Sequence, residues 1–253
     1  MRKLVILGGG TAGTMVANKL RAASTQAELS ITVVDQDDAH HYQPGYLFLP
    51  FGQLAPGQIV RSRHSFIPDG VDLVLCGVEK VDAGAKTVHL RNGRELTYDT
   101  LIIATGVQPR LEATPGGDGP EVGKSVHQFY DLPGAEALQE AMRTFQGGRL
   151  VVHITEMPIK CPVAPLEFVF LADSYFKDKK IRKKVDITYV TPLDGAFTKP
   201  VASRELGDAL KSRNIALETD FAIAEIENET REIISFDERR IPFDLLVTVP
   251  LNM

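Results

Sequence analysis

Apolar residues fall into short unbroken runs separated by stretches of helical period, the pattern of buried strands joined by helices. Lys3 to Gly8 reads as a strand, and Ala12 to Ala23 as a helix with Ala12, Val16 and Leu20 on one face. Leu29 to Asp35, containing Ile31-Thr32-Val33-Val34, reads as a second strand. Strand, helix and strand at this spacing imply parallel pairing. From His40 to Pro68 the pattern dissolves into aromatics, prolines and glycines, which predicts irregular structure with a helical piece. Residues 71–98 alternate around Asn92-Gly93, a hairpin signal, and Leu101 to Gly106 is a further buried strand. The Gly- and Pro-rich stretch 112–124 reads as a linker. Beyond it come a helix near Leu132 to Phe145, a strand Arg149 to Ile154, a helix Pro165 to Phe176, a strand Val185 to Val190, a helix Val201 to Arg213 and several short strands. This alternation predicts an α/β fold of two doubly wound units, over residues 1–115 and 125–240, with 241–253 turning back toward the first.

The first turn carries chemistry. Gly8-Gly9-Gly10-Thr11-Ala12-Gly13 satisfies G-x-G-x-x-G between a predicted strand and a predicted helix, and Asp35 closes the next strand. In a Rossmann-like unit the first glycine permits the tight turn and the second lets the backbone approach a pyrophosphate. The third lets helix pack on strand, and the acid accepts ribose hydroxyls. The helix start at Thr11 and Ala12 would offer N–H groups to the phosphates. A glycine turn with no ligand is the plain alternative, and Asp35 in place argues against it. The motif serves FAD and NAD alike. Ala104-Thr105-Gly106, ending the strand from Thr100, resembles the strand of two-dinucleotide flavoproteins that passes close to the flavin nucleotide, and that resemblance favours FAD.

The second unit has no such fingerprint. No glycine lies between Gly148 and Gly195, and the loop after the Arg149 to Ile154 strand holds Pro158, Pro162 and Pro165. Such a loop cannot wrap a pyrophosphate, so NAD(P)H binding there is not expected. In its place stands Cys161, beside Lys160 and just ahead of a helix start, a setting that favours thiolate character. Glu167 follows within a turn or two and could pass protons near the sulfur. A lone cysteine is more often an inert small hydrophobe. That reading suits Cys76 within Leu73-Val74-Leu75-Cys76, but not Cys161 between prolines.

Composition narrows the class. Hydrophobic residues make up 43% and charged residues 24% of the 253, the balance of a soluble globular protein. A net charge of −5 gives no electrostatic case for nucleic acid. No apolar run approaches the ~18 residues that span a bilayer. Met1-Arg2-Lys3 before Leu4-Val5-Ile6-Leu7 imitates a signal peptide only faintly, and two cysteines suit a reducing, cytoplasmic compartment. The His40-His41 pair with Asp37-Asp38 fits no metal-ligand spacing and reads as a solvated loop. The basic run Lys177 to Lys184 reads as a solvated helix end rather than a membrane-binding patch.

Taken together, the glycine fingerprint, Asp35, Tyr42-Gln43-Pro44-Gly45, Ala104-Thr105-Gly106 and the Pro158-Ile159-Lys160-Cys161-Pro162-x-Ala164-Pro165-x-Glu167 loop resemble the sulfide:quinone oxidoreductase family. The flavin subunit of flavocytochrome c sulfide dehydrogenase is similar. The resemblance implies FAD as cofactor, with Gln43 and Pro44 beside it. It also implies sulfide oxidation by attack on a cysteine bridge, a persulfide left behind, and electrons passed through the flavin to a membrane quinone. Cys161 matches one bridging cysteine and Glu167 the acid/base position. A full-length form would then sit peripherally on the cell membrane, while the oligomeric state, homodimer included, stays open. Two departures stand out: Ser125 to Tyr130 lacks a cysteine that many members carry, and the chain ends at Met253 where the family continues. The expectation is therefore a C-terminally shortened chain, without the family's Gly-Asp segment and partner cysteine. Two other readings remain: a type II NADH dehydrogenase or coenzyme A disulfide reductase relative, and a non-catalytic flavin-binding module.

Overall fold

The computed structural model describes residues 1–253, which divide into two compact units, Met1–Tyr42 with Gly57–Val107, and Gln43–Pro56 with Gln108–Met253. In the first, β1 (Arg2–Leu7) leads through α1 (Thr11–Ala22) to β2 (Leu29–Asp35), followed by β3 (Asp72–Leu75), β4 (Val78–Asp82), β5 (Thr87–Leu90), β6 (Glu95–Thr97) and β7 (Thr100–Ile103). A parallel sheet runs in the order β3-β2-β1-β7, and β4-β5-β6 form an antiparallel sheet.

Alternation along β1 explains this layering. Leu4 and Ile6 join Ala17, Ile31 and Val33 under α1, whereas Val5 and Leu7 join Val34, Val74, Val88 and Leu90 under the antiparallel sheet. A strand with period two and both faces covered reads as the unbroken apolar run seen in the sequence. The buried face of α1 is rotated from the expected one. It centres on Gly13, Thr14 and Ala17, with Val16 and Leu20 of the expected face still packed at its edge and Ala12 exposed, because the helix must bring Gly13 down onto the turn. Residues 71–98 are also more than a hairpin. β3 adds to the parallel sheet beside β2, and the Asn92-Gly93 turn joins β5 to β6. Within the irregular stretch, Ala39–His41 pairs antiparallel with Val60–Ser62, a contact no local pattern announces.

The second unit contains β8 (Val126–His127), α2 (Leu132–Thr144), β9 (Gly148–Ile154), α3 (Ala164–Asp178), β10 (Val185–Val190), α4 (Pro200–Ser212), β11 (Ile215–Glu218), β12 (Ile223–Glu227), β13 (Glu232–Ser235), β14 (Arg240–Pro242) and β15 (Leu245–Val249). Its parallel sheet runs β8-β15-β9-β10-β11, so the chain returns in β15 to lie between β8 and β9. The antiparallel sheet β12-β13-β14 covers one face through Phe221, Ile223, Ile226, Ile233 and Phe243. Asp131 caps α2 by accepting from the Gly134 N–H at 2.8 Å. The excursion Gln43–Pro56 packs within this unit: Phe51 lies against Phe168 and Tyr175, and Gln139 Nε2 donates to the Leu49 carbonyl at 2.7 Å. Both units are thus α/β with parallel sheets, and no helix is long and apolar enough to cross a membrane.

Candidate functional site

Two sets of residues carry the chemistry, one in each unit. In the first, the turn between β1 and α1 is shaped by contacts that only glycine permits. Gly8 sits at φ +96°, and a Cβ there would lie 2.3 Å from the Ala104 carbonyl oxygen. A Cβ on Gly13 would lie 1.8 Å from the Gly8 carbonyl oxygen. Around Gly10, by contrast, nothing lies within 4 Å, so this glycine borders open space. The two outer glycines are needed for packing, and the middle one leaves room on the side where a diphosphate would approach the N-terminus of α1. Thr11 and Ala12, at that helix start, are exposed. Ala104 is held by its N–H donating to the Leu7 carbonyl at 2.7 Å, Thr105 follows beside Gly8, and Gly106 turns away at φ +72° with open space around it.

Asp35 closes β2 at this turn. Its Oδ2 accepts from the Gly9 N–H at 2.6 Å and pairs with Arg63 Nη1 at 3.0 Å, and its Oδ1 accepts from the Gln36 N–H at 2.8 Å. His40 adds a wall, its Nδ1 lying 3.2 Å from the Gly9 carbonyl and its ring stacked on Phe66 at 4.2 Å. An open turn, a helix start and an acid suit the dinucleotide FAD.

The second set lines a cavity of about 510 Å³. The turn Gln43–Leu47 contributes Gln43, Pro44, Tyr46 and Leu47, the end of β8 leads to Phe129 and Tyr130, and the proline loop with the start of α3 contributes Lys160, Cys161, Ala164 and Glu167. The cavity wall is mostly apolar, with a thiol, a carboxylate and an ammonium group at its polar positions. Pro165 in the first turn of α3 fits the helix start. Ahead of it, the Cys161 carbonyl accepts from the Ala164 N–H at 3.2 Å and from the Tyr130 hydroxyl at 3.2 Å. Glu167 is exposed in the first turn of the helix, its N–H donating to the Val163 carbonyl at 3.0 Å.

Burial sets the electrostatics of this cavity. It pushes the Tyr130 phenol well above its ordinary value, the nearby Cys161 and Glu167 adding to the effect, so Tyr130 stays a hydrogen-bond donor. Burial likewise pushes Tyr46 up to about 12, reinforced by Asp131. Protein around the Lys160 ammonium lowers its pKa against the pull of Asp131, although the residue as a whole is exposed. Both cysteines are free thiols, and Cys76 packs beside the apolar cluster of the first unit.

The structure therefore brings Gly8, Gly10, Gly13, Asp35, Ala104 and Thr105 to one turn, and Gln43, Pro44, Cys161 and Glu167 to one cavity. Gln43 and Pro44 thereby share a cavity with the thiol, within the unit that does not carry the glycine turn. Arg63, Tyr46 and Tyr130 belong to no motif in the sequence. Arg63 and Tyr130 act through partners distant along the chain, Asp35 and Cys161, and Tyr46 through its place in the cavity wall, so no local spacing marks them.

Residues 2–152 match the family model described as pyridine nucleotide-disulphide oxidoreductase. The chain is 25% identical over 261 residues to the mitochondrial sulfide:quinone oxidoreductase of Mus musculus, covering 99% of this chain and 57% of that protein. It is 35% identical over 177 residues to the ferredoxin–NAD(+) reductase component of the p-cumate 2,3-dioxygenase system of Pseudomonas putida, covering 65% of this chain and 42% of that protein. Among solved structures, the sulfide:quinone oxidoreductase of Aquifex aeolicus superposes with a TM-score of 0.85 at 21% identity, covering 99% of this chain and 58% of that one. The chain thus spans little more than half the length of the sulfide:quinone oxidoreductases it matches.

Proposed function

Because the chain belongs to the pyridine nucleotide-disulphide oxidoreductase family, an enzyme family of FAD-binding flavoproteins, we propose that it oxidises sulfide through a persulfide on Cys161. The electrons are passed on through FAD to a quinone. One observation carries this reading: Cys161 and Glu167 line the same apolar-walled cavity, at a loop whose prolines replace the glycines a nicotinamide nucleotide would need.

The roles follow from the groups present. Lys160 raises the local concentration of hydrosulfide anion. Hydrosulfide attacks a disulfide formed by Cys161 and a second thiol that is not among residues 1–253, Cys76 being packed beside the apolar cluster of the first unit. The old S–S bond breaks, a new S–S bond joins the incoming sulfur to Cys161, and the second thiol leaves as a thiolate. Glu167, as a carboxylate, takes the proton from the attacking sulfur. Tyr130 holds the Cys161 carbonyl so that the thiol keeps its place while its bonding partner changes. FAD, when bound, supplies the two-electron acceptor that relays the electrons to the quinone. Gly8, Gly10, Thr11, Ala12, Gly13, Asp35, Gln43, Pro44, Ala104, Thr105 and Gly106 are the proposed FAD-contacting residues.

The 35% identity to a ferredoxin–NAD(+) reductase component favours a second reading, an NAD(P)H-dependent reductase. Anaerobic titration of the FAD-loaded protein, in a form that also supplies the second thiol, separates the two. Sulfide is expected to bleach the visible flavin absorbance and NADH to leave it unchanged. Cys161→Ser should abolish the sulfide response, and Cys76→Ser should retain it. Bleaching by NADH alone would replace the first reading with the second.

A further inference from the structure

We propose that Arg63 is the positioning residue of the nucleotide-binding turn. It holds Asp35 so that one carboxylate oxygen is spent within the protein and the other remains to accept an adenosine ribose hydroxyl. This inference rests on FAD occupying the glycine turn.

Arg63 lies in the stretch with the least regular sequence pattern, yet its side chain is only 6% exposed and nearly every donor on it is used. Nε donates to the Asp37 carbonyl at 3.0 Å, and Nη2 donates to the Ala39 carbonyl at 2.8 Å and to Asp37 Oδ1 at 3.2 Å. Its main-chain N–H donates to the Asp38 carbonyl at 2.7 Å. With the guanidinium clamped from three directions, Nη1 is delivered to Asp35 Oδ2 at 3.0 Å with no rotamer freedom left to lose.

Gly9 completes the device. It occupies a free position of the G-x-G-x-x-G pattern, but a Cβ there would lie 2.6 Å from Arg63 Cδ. The glycine therefore makes room for the arginine, while its own N–H takes the other place on Asp35 Oδ2 at 2.6 Å. A carboxylate oxygen has two lone-pair sites. Oδ2 is filled by Gly9 and Arg63, whereas Oδ1 receives only the Gln36 N–H at 2.8 Å and keeps one site open, on a side chain that is 17% exposed. The acceptor left for the ligand is thus selected by Arg63.

The test is a binding cycle on apo-protein. Dissociation constants are measured by flavin-fluorescence quenching for FAD and for its analogue lacking both adenosine ribose hydroxyls, in wild type, Arg63→Met and Asp35→Asn. A hydrogen bond to a charged group implies that wild type prefers FAD by about tenfold or more. Arg63→Met should weaken FAD binding by a similar factor and bring the preference close to one, as should Asp35→Asn. A purely structural arginine would weaken both ligands alike and preserve the ratio, which overturns the proposal. Arg63→Lys, which retains the charge and stem, supplies a folded variant if Arg63→Met does not fold, with a reduced ratio expected. Absence of FAD binding by wild type would instead refute the flavin reading on which the inference rests.

Discussion

The Tyr130 hydroxyl donates to the main-chain carbonyl of Cys161 at 3.2 Å, joining residues separated by α2 and β9 along the chain. Burial keeps that phenol protonated, so the bond persists across the ordinary pH range. The thiol is thus positioned through its backbone, and its sulfur is left free for chemistry.

Replacing Tyr130 by phenylalanine removes this bond and keeps the ring packed at a tilt beside Phe129. The loss should be about 1 kcal/mol, a drop of about 2–4 °C in Tm for a chain of this size. Alkylation of Cys161 by iodoacetamide should become severalfold faster as the loop loosens. An unchanged rate, followed by mass spectrometry, would show that the prolines alone hold the loop.

The glycine turn predicts opposite outcomes at neighbouring positions. Gly13→Ala drives a methyl to within 1.8 Å of the Gly8 carbonyl, so α1 must lift off β1 and the protein should be severely destabilised. Gly10→Ala meets nothing within 4 Å and should melt like wild type while binding FAD less tightly. Thermal melts paired with flavin titrations separate the two effects, and equal melting temperatures would refute the packing role of Gly13.

His153, fully buried on β9 with its Nδ1 3.0 Å from the Thr248 hydroxyl, has its pKa lowered by burial from 6.5 to about 3. The unfolded chain takes up a proton as pH falls through 6.5, and the folded chain does not until about pH 3. Stability contributed by neutral His153 is therefore complete above that window and declines as the pH drops through it. The slope approaches roughly 1.4 kcal/mol per pH unit from this residue alone. Burial lowers His127 in the same direction. Urea melts at pH 7 and pH 5 should show the loss, and His153→Gln should flatten the slope even where it lowers the absolute stability.

Asp173 on α3 is 1% exposed and bridges two cations of unequal worth, Arg182 Nε at 2.6 Å and Lys177 Nζ at 2.5 Å. Arg182 is itself largely buried and also donates to the Val185, Arg213 and Asn214 carbonyls, whereas Lys177 is 55% exposed. Arg182→Met leaves a buried carboxylate short of its main partner and should cost about 3 kcal/mol. Lys177→Met should cost at most about 1 kcal/mol. Similar losses in urea denaturation would contradict this ranking.

Amino-acid order alone determined the α/β class, the parallel strands and the G-x-G-x-x-G turn between β1 and α1. These rest on local rules: period two or unbroken runs in strands, 3.6 in helices, and glycine where a backbone must approach another. The same rules marked Cys161 as a cysteine outside any apolar period. Only the tertiary structure decided what surrounds these residues. The burial of Arg63 against Asp35, the Tyr130 bond to the Cys161 carbonyl and the packing of Gln43–Pro56 with Gln108–Met253 join residues far apart in the chain. Hydrogen bonds and ion pairs of that kind leave no periodic trace, because their geometry exists only once the strands have paired. That is why Gly9, an unconstrained position in the motif, acquires its reason only when Arg63 is seen lying across it.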